Sequence, residues 1–535
     1  MSRHSAPSSV APVQTELGRH LWRILILGSI GMFMGTLVTT VVAVALPVMG
    51  PALRLTYSEA LWVQAAYVVT MCVFLIPVGR LADRHGLLRF YLVGLGIFAV
   101  LSVACALAFS GPFLIVMRSL QGIGAAFTAA AAPALITTVF PPEWRGRGLG
   151  LNAMAGYLGL MAGPPIGGLI VSHASWRWIF LINVPLALGT LANGWFLLGA
   201  ERRDRSAFSS EGAGSMLGGL HGAGYSAPAG SAPLGGSAPL GSGAPPSSST
   251  PAGRRGATLD WHGTALLAFL LVCLLVPLIS VPFWGWKSVT TLGLLGAFIV
   301  LLLLFVWTED RVKDPLLDLD LVRKNRVFAA STFTAFLNYA AIYGVTTLTA
   351  VFLELSQGYT PQHAGLLLLV QPAFMAALSP AFGRLSDRIG SRPPVAGGML
   401  LTACGTVQLG LLPSPAPAWR VVLALAAVGI GMAAFSAPNT SSVMGAVKRS
   451  ELSLASGFLG TMRTAGQGVS IALLGAIAAS GLGPTGGRIL FLGEEASEVA
   501  AASFADGYQT AMLVAAGISV LGALVSLVQG PRREP

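Results

Sequence analysis

A chain of 535 residues that is 54% hydrophobic and only 10% charged, with a mean hydropathy of +0.74, is too apolar for a soluble globular enzyme. Its formal net charge of +11 invites a nucleic-acid role, but no basic patch interleaved with aromatics accompanies the charge. The sequence has no phosphate-cradling glycine loop, no HExxH pattern and no nucleophile elbow, which argues against an enzyme or a self-contained nucleotide-driven pump and gives no cofactor or metal to expect.

Residues 1–22 form a polar tail. Apolar stretches of about 20 residues then recur, each long enough to cross a bilayer. Six of them, at 23–46, 60–79, 90–109, 112–139, 148–171 and 177–199, make an N-terminal half over 23–200. Residues 201–260 are mostly Gly, Ser, Ala and Pro, and the run Gly230 to Gly235 is copied at once as Gly236 to Gly241. Such a segment cannot bury a core and is expected to be a disordered linker. Two inserted segments, 262–282 and 288–307, occupy 261–310, and a loop follows over 311–326. The C-terminal half, 327–530, carries segments at 327–353, 362–382, 394–413, 418–437, 453–478 and 508–529, and 531–535 is a short tail. In lipid each backbone polar group must be satisfied within its own segment, so all fourteen are expected to be helices. The first is too long for a signal-peptide core and should be retained. Cys72, Cys105, Cys273 and Cys404 fall in separate segments without metal-ligand spacing and read as small buried hydrophobes.

Of the 32 Lys and Arg residues, 25 fall on the side of the N-terminus, five on the other (Arg54, Arg177, Lys287, Arg420, Arg488), and Arg118 and Arg463 within segments. This bias predicts cytoplasmic N- and C-termini on a multi-pass protein of the plasma (inner) membrane.

The chain also repeats itself. Gly79-Arg80-Leu81-Ala82-Asp83-Arg84-His85-Gly86 returns as Gly383-Arg384-Leu385-Ser386-Asp387-Arg388-Ile389-Gly390 after the equivalent segment of the second half. Two six-helix halves related by a pseudo-two-fold axis along the membrane normal follow. The glycines at each end of the motif suit a tight turn. Asp83 and Asp387 can pair with the flanking arginines or face a helix N-terminus in the opposite half, where the dipole favours a carboxylate.

In the fifth segment Gly159, Gly163 and Gly167 are four residues apart, a stripe that lets another helix approach to backbone contact, with Gly150 before it, Gly168 after it and Pro164 bending it. Arg118, Gln121 and Gly122 share one face of the fourth segment. Arg118 lies about 9 Å from the segment's start, so it either points into the protein or snorkels to the interface. Arg463, about 15 Å from the cytoplasmic end of its segment, is too deep for that and should line a cavity near Gly466, Gln467 and Gly468. Gln64, Tyr67, Asn338, Tyr343 and Gln371 are candidate cavity contacts or helix-packing hydrogen bonds. None of the 21 acidic residues falls inside a predicted segment; Glu354, at the outer end of the ninth, comes nearest and reads as a rim residue.

Together these features resemble the fourteen-helix drug:proton antiporter family (EmrB/QacA type) of the major facilitator superfamily. Trp176-Arg177-Trp178-Ile179-Phe180 with Asn183 and Pro185, and Leu259-Asp260-Trp261-His262-Gly263, add to the resemblance. It implies an all-α polytopic fold of two six-helix halves plus two inserted helices. It also implies a secondary exporter of hydrophobic or amphipathic molecules that works by alternating access. The run Gly150–Gly168 looks like the antiporter motif of exporters. The repeated loops look like the signature that latches relatives in the outward-facing state, with Leu87, Leu88 and Ser391 where basic residues are usual. Arg118 with Gln121 looks like the motif whose arginine helps move protons in relatives. The implied partners are the bilayer, a small-molecule substrate, protons and accessory export proteins, with no nucleic acid or nucleotide. One departure bears on the chemistry. Val38 and Ala43 stand where relatives carry an Asp and an Asn in the first helix. A cavity with two arginines and no acid suits neutral, zwitterionic or anionic substrates better than dications. The alternatives are an uncoupled facilitator, a differently coupled exporter of one metabolite, and a non-transporting sensor or scaffold that uses the linker.

Overall fold

The computed structural model describes residues 10–140, 142–197, 261–312, 319–448, 452–480 and 494–527. In chain order its long helices are α1 (Val10–Leu53), α2 (Tyr57–His85), α3 (Leu87–Ala106), α4 (Gly111–Val139), α5 (Pro142–His173), α6 (Trp178–Leu197), α7 (Trp261–Trp284), α8 (Val289–Glu309), α9 (Arg326–Ser356), α10 (Pro361–Ile389), α11 (Arg392–Gly410), α12 (Ala418–Gly445), α13 (Leu452–Ala479) and α14 (Glu494–Ser526). Twelve are long and apolar enough to cross a membrane. The other two, α11 and α13, have 19 and 28 residues and pack in the same bundle, which is consistent with the fourteen expected spans. The expected linker at 201–260 lies outside the described residues.

Local chemistry sets the helix starts. Thr56 and Glu59 form a reciprocal capping box on α2, Ser110 caps α4 with Pro112 in its first turn, and Thr360 caps α10 with Pro361 behind it. Asn325 opens α9 by accepting from the Phe328 N–H at 3.0 Å.

Several expected boundaries move. The repeated motif is not a loop: α2 continues to His85 and α10 to Ile389, and only the closing glycines turn the chain, with φ of 103° at Gly86 and 86° at Gly390. Gly79 and Gly383 are helical. At the N-terminus α1 begins at Val10, inside the expected tail, because Pro12 sits in a first turn that needs no N–H there. At the other end α14 begins at Glu494 rather than near 508. The longer helices therefore do contain acids (Glu59, Asp83, Glu309, Glu354, Asp387 and Asp506 among them), all toward the ends of the apolar stretches. Of the cysteines, Cys72 and Cys105 are buried, Cys273 is half-buried and Cys404 is exposed on the outside of α11.

The repeat governs packing. α1 lies against α5 as α9 lies against α13, α2 against α4 as α10 against α12, and α3 against α4 as α11 against α12. α6 touches α1, α3 and α5, and α14 touches α9, α11 and α13. The halves meet along α2–α13 and α5–α10, again a symmetric pair. The inserted helices break that symmetry. α7 packs on both α2 and α13, where Ser58 donates to the Ile279 carbonyl at 2.7 Å, so it covers one seam between the halves. α8 packs on α7 and turns Ile299, Val300, Leu303 and Trp307 outward.

Candidate functional site

We call the end of the bundle with the Gly86 and Gly390 turns the near end, and the opposite end the far end. At the far end the run 150–168 works in two directions. A Cβ on Gly159 would collide with Thr36 and the Phe33 carbonyl, one on Gly163 with the Thr40 hydroxyl, and one on Gly167 would press on Val41. The stripe therefore seats α5 on α1 within one half, helped by the Thr36 hydroxyl donating to the Gly156 carbonyl at 2.9 Å. The other two members face the second half. A Cβ on Gly168 would strike the Pro361 carbonyl, and one on Gly365 would strike the Pro164 carbonyl, so α5 and α10 cross with their backbones in contact. Gly150, at the near end of α5, has nothing within 4 Å of such a Cβ.

The second seam is closed at the same end. Tyr57 donates to the Gly475 carbonyl at 3.2 Å, which joins α2 to α13. Deeper in, Gln64 ties three helices together: its amide donates to the Thr39 carbonyl of α1 at 3.1 Å, and its oxygen accepts from the Thr347 hydroxyl of α9 at 2.7 Å. Gln64→Ala should remove both buried bonds, worth about 1–3 kcal/mol in total. The expected result is a far end that opens roughly 5- to 150-fold more often, read as faster labelling of a Gln362→Cys reporter by a membrane-impermeant thiol reagent. At the near end Asp387 and Arg388 are exposed, and Arg384 reaches only its own helix, at the Pro380 carbonyl. The side chains of Asp83 and Arg84 lie outside the described residues. The seams at the far end, with Asp387 exposed and without a partner among the described residues, describe a state closed at the far end.

Arg118 does not snorkel. It is 0% exposed, enclosed within the first half. Its Nε donates to the Val63 carbonyl at 3.0 Å and its Nη1 to Gln121 Oε1 at 2.7 Å, while Gln121 donates to the Ser102 hydroxyl at 2.8 Å. The guanidinium carbon sits 4.4 Å from the centre of the Tyr67 ring, a cation–π contact, and Nη2 has no hydrogen-bond partner among the described residues. Gly122 makes this nest possible, because any side chain there would meet the Tyr67 carbonyl of α2.

Arg463 is placed differently. It stays partly exposed, donates from Nη2 to the Thr440 hydroxyl at 2.6 Å and lies 5.7 Å from the Tyr339 ring centre. Across the seam between halves Tyr157 and Ser436 share a hydrogen bond of 3.0 Å. Neither tyrosine was singled out from the sequence, although Tyr157 stands inside the glycine run; nothing in a linear pattern tells which side chain of α5 faces α12.

Among the five polar cavity candidates, Gln64, Tyr67, Asn338 and Gln371 are buried here, and both amide atoms of Asn338 lack partners. Tyr343 is half-buried beside Thr39. Val38 and Ala43, where relatives carry polar residues, are 0% and 1% exposed. Glu354 is not a rim residue. It lies in a π-helical turn, Phe352–Ser356, at the far end of α9, half-buried, with one carboxylate oxygen shielded and unpartnered.

Known proteins agree with this architecture. The chain matches the Major Facilitator Superfamily over residues 28–305, 232–470 and 331–535. It is 30% identical over 462 residues to the multidrug resistance protein Stp of Mycobacterium tuberculosis, covering 86% of this chain and 76% of that protein. It is 28% identical over 482 residues to the tetracenomycin C resistance and export protein of Streptomyces glaucescens, covering 90% and 80%. In fold it is similar to a bacterial homologue of the lysosomal transporter Spinster in an inward-facing, unoccupied conformation, with a TM-score of 0.60 at 15% identity over 95% of this chain and 97% of that one. The protein is therefore a multi-pass membrane transporter of small molecules rather than an enzyme, and it belongs to the Major Facilitator Superfamily, in its drug:proton antiporter family.

Proposed function

We infer that this transporter exports a hydrophobic or amphipathic small molecule by alternating access, with protons moving in the opposite direction. The observation that carries this is the double role of the Gly150–Gly168 run. It fixes α5 rigidly to α1 through Gly159, Gly163 and Gly167, and it closes the far end against α10 through Pro164 and Gly168. A seal made of bare backbone holds with little side-chain rearrangement and parts as a unit when the halves rock. The bias of 25 of 32 Lys and Arg residues toward the N-terminal side supports a cytoplasmic near end, so the state closed at the far end is read as closed toward the outside. Relatives named for antibiotic resistance and export support the outward direction.

Proton coupling needs a group that changes charge, and no acid stands at mid-depth. Glu354 is the best candidate: a carboxylate with a shielded, unpartnered oxygen on a π turn, a geometry frequent at functional sites. The test is substrate-driven proton movement in proteoliposomes holding a pH dye. Wild type should move protons against substrate, and Glu354→Gln should reduce that movement at least tenfold while substrate binding persists. The buried Val38, in place of the family's Asp, favours a second reading, an uncoupled facilitator. Substrate flux with no proton movement in wild type would establish that reading instead.

A further inference from the structure

We propose that Arg463, Thr440, Tyr339, Ser436 and Tyr157 form a binding site for the anionic group of an amphipathic substrate, such as a carboxylate or sulfonate on an apolar ring system. This rests on the transport reading above and names the substrate class within it. Arg463 lies about 16 Å into α13 from its start, in the middle of the bundle. A guanidinium there is costly unless something compensates its charge. The Thr440 hydroxyl at 2.6 Å and the Tyr339 ring at 5.7 Å are neutral, and no carboxylate pairs with it among the described residues. Its Nε is shielded and has no acceptor, so at least one strong donor waits for a ligand. Arg118, by contrast, is 0% exposed, and its guanidinium is engaged by Val63 and Gln121 of the first half. Arg463 keeps partial exposure below a closed far end, which leaves the near end as its approach.

The surroundings supply the rest of the specificity. Tyr157 and Leu160 of α5 pack against Met375, Val428 and Met432, an apolar wall whose methionines adapt to varied ring shapes. Tyr157 therefore borders both the polar cluster and the apolar wall. It comes from the first half, whereas Arg463, Thr440, Ser436 and Tyr339 belong to the second. A ligand held between them would link the halves and respond to their rocking.

The experiment is equilibrium binding of three radiolabelled probes, 1-naphthaleneacetate, 1-naphthaleneacetamide and 1-naphthylmethylammonium, to the full-length protein in lipid nanodiscs, with empty discs subtracted. We expect the carboxylate to bind at least tenfold tighter than the amide and the ammonium to bind weakest. Arg463→Gln should erase the preference for the carboxylate, Arg463→Lys should retain part of it, and Tyr157→Phe, on the other half, should weaken carboxylate binding several-fold in a protein that remains monodisperse. Equal binding of carboxylate and amide by wild type, no carboxylate binding, or an undiminished preference in Arg463→Gln overturns the site. Proteoliposome flux of the same probes separates this from the transport reading. Carboxylate bound through Arg463 but never translocated leaves the site standing and removes transport, whereas amide flux without charge preference does the reverse.

Discussion

Gly168→Val should abolish most transport while leaving the protein folded and in the membrane. The reason is the character of the contact. At Gly168 the added carbons meet the Pro361 carbonyl and the Gln362 Cα, which are backbone atoms of α10 and cannot rotate away. At Gly163 the obstacle is the Thr40 side chain, and at Gly156 it is Met32, both of which have some freedom. Overpacking of this kind costs about 1–3 kcal/mol, or roughly a 5- to 150-fold shift away from the closed far end. A cycle that must pass through that state slows by a similar factor. Efflux of a fluorescent dye from cells should fall at least fivefold, and the Gln362→Cys reporter should label faster in Gly168→Val than in the reporter alone. Gly150→Ala is the control within the same motif: with nothing within 4 Å of the added carbon, it should leave both readouts unchanged. Normal efflux in Gly168→Val would mean that the far-end crossing is not part of the working cycle.

The parts of the fold that could be read from the sequence are those written in local composition. Long apolar stretches marked the membrane helices, and the copy of Gly79–Gly86 at Gly383–Gly390 announced the symmetry that pairs α1–α5 with α9–α13. Helix ends were less legible, because polar and acidic residues beyond the apolar stretch continue a helix wherever nothing stops it, as at Val10 and Glu494. The site was half legible. Arg118 and Arg463 both stood out as charges in apolar runs, yet their opposite fates depend on helix rotation, which a single-chain pattern does not encode. The glycine stripe predicted a close approach; that it seats on α1 while Pro164 and Gly168 of the same run meet α10 follows from their angular positions on α5 once both neighbours are in place. Tyr157 and Ser436 lie 279 residues apart and meet only because the halves do.

Arg118→Gln should stop transport with little loss of stability, because two opposing costs nearly balance. The guanidinium makes two good hydrogen bonds, to Val63 and Gln121, and a cation–π contact with Tyr67. Each buried bond is worth about 0.5–1.5 kcal/mol, and somewhat more when charge-assisted. Against this stands an ionised group buried without a counterion, a penalty of several kcal/mol. In Arg118→Gln, which keeps an amide in the site, removing the charge offsets the lost bonds and the thermal midpoint should change by only a few degrees; Arg118→Ala also leaves a cavity and two orphaned acceptors and should lower it further. A residue that brings the fold so little net stability is retained for what it does between states. Its unpartnered Nη2 is a donor already desolvated, poised to find an acceptor when α2 and α4 shift. Substrate-driven flux in proteoliposomes should drop at least tenfold in both variants. Arg118→Lys should recover only part of it, since one ammonium cannot reach the Val63 carbonyl and Gln121 together or lie flat on the Tyr67 ring. Should Arg118→Gln keep full flux, the arginine's role would be confined to joining α2 to α4. Should it lose flux only through a midpoint lowered by tens of degrees, the role would be structural, and the search for the group that senses the transport cycle would move to Glu354.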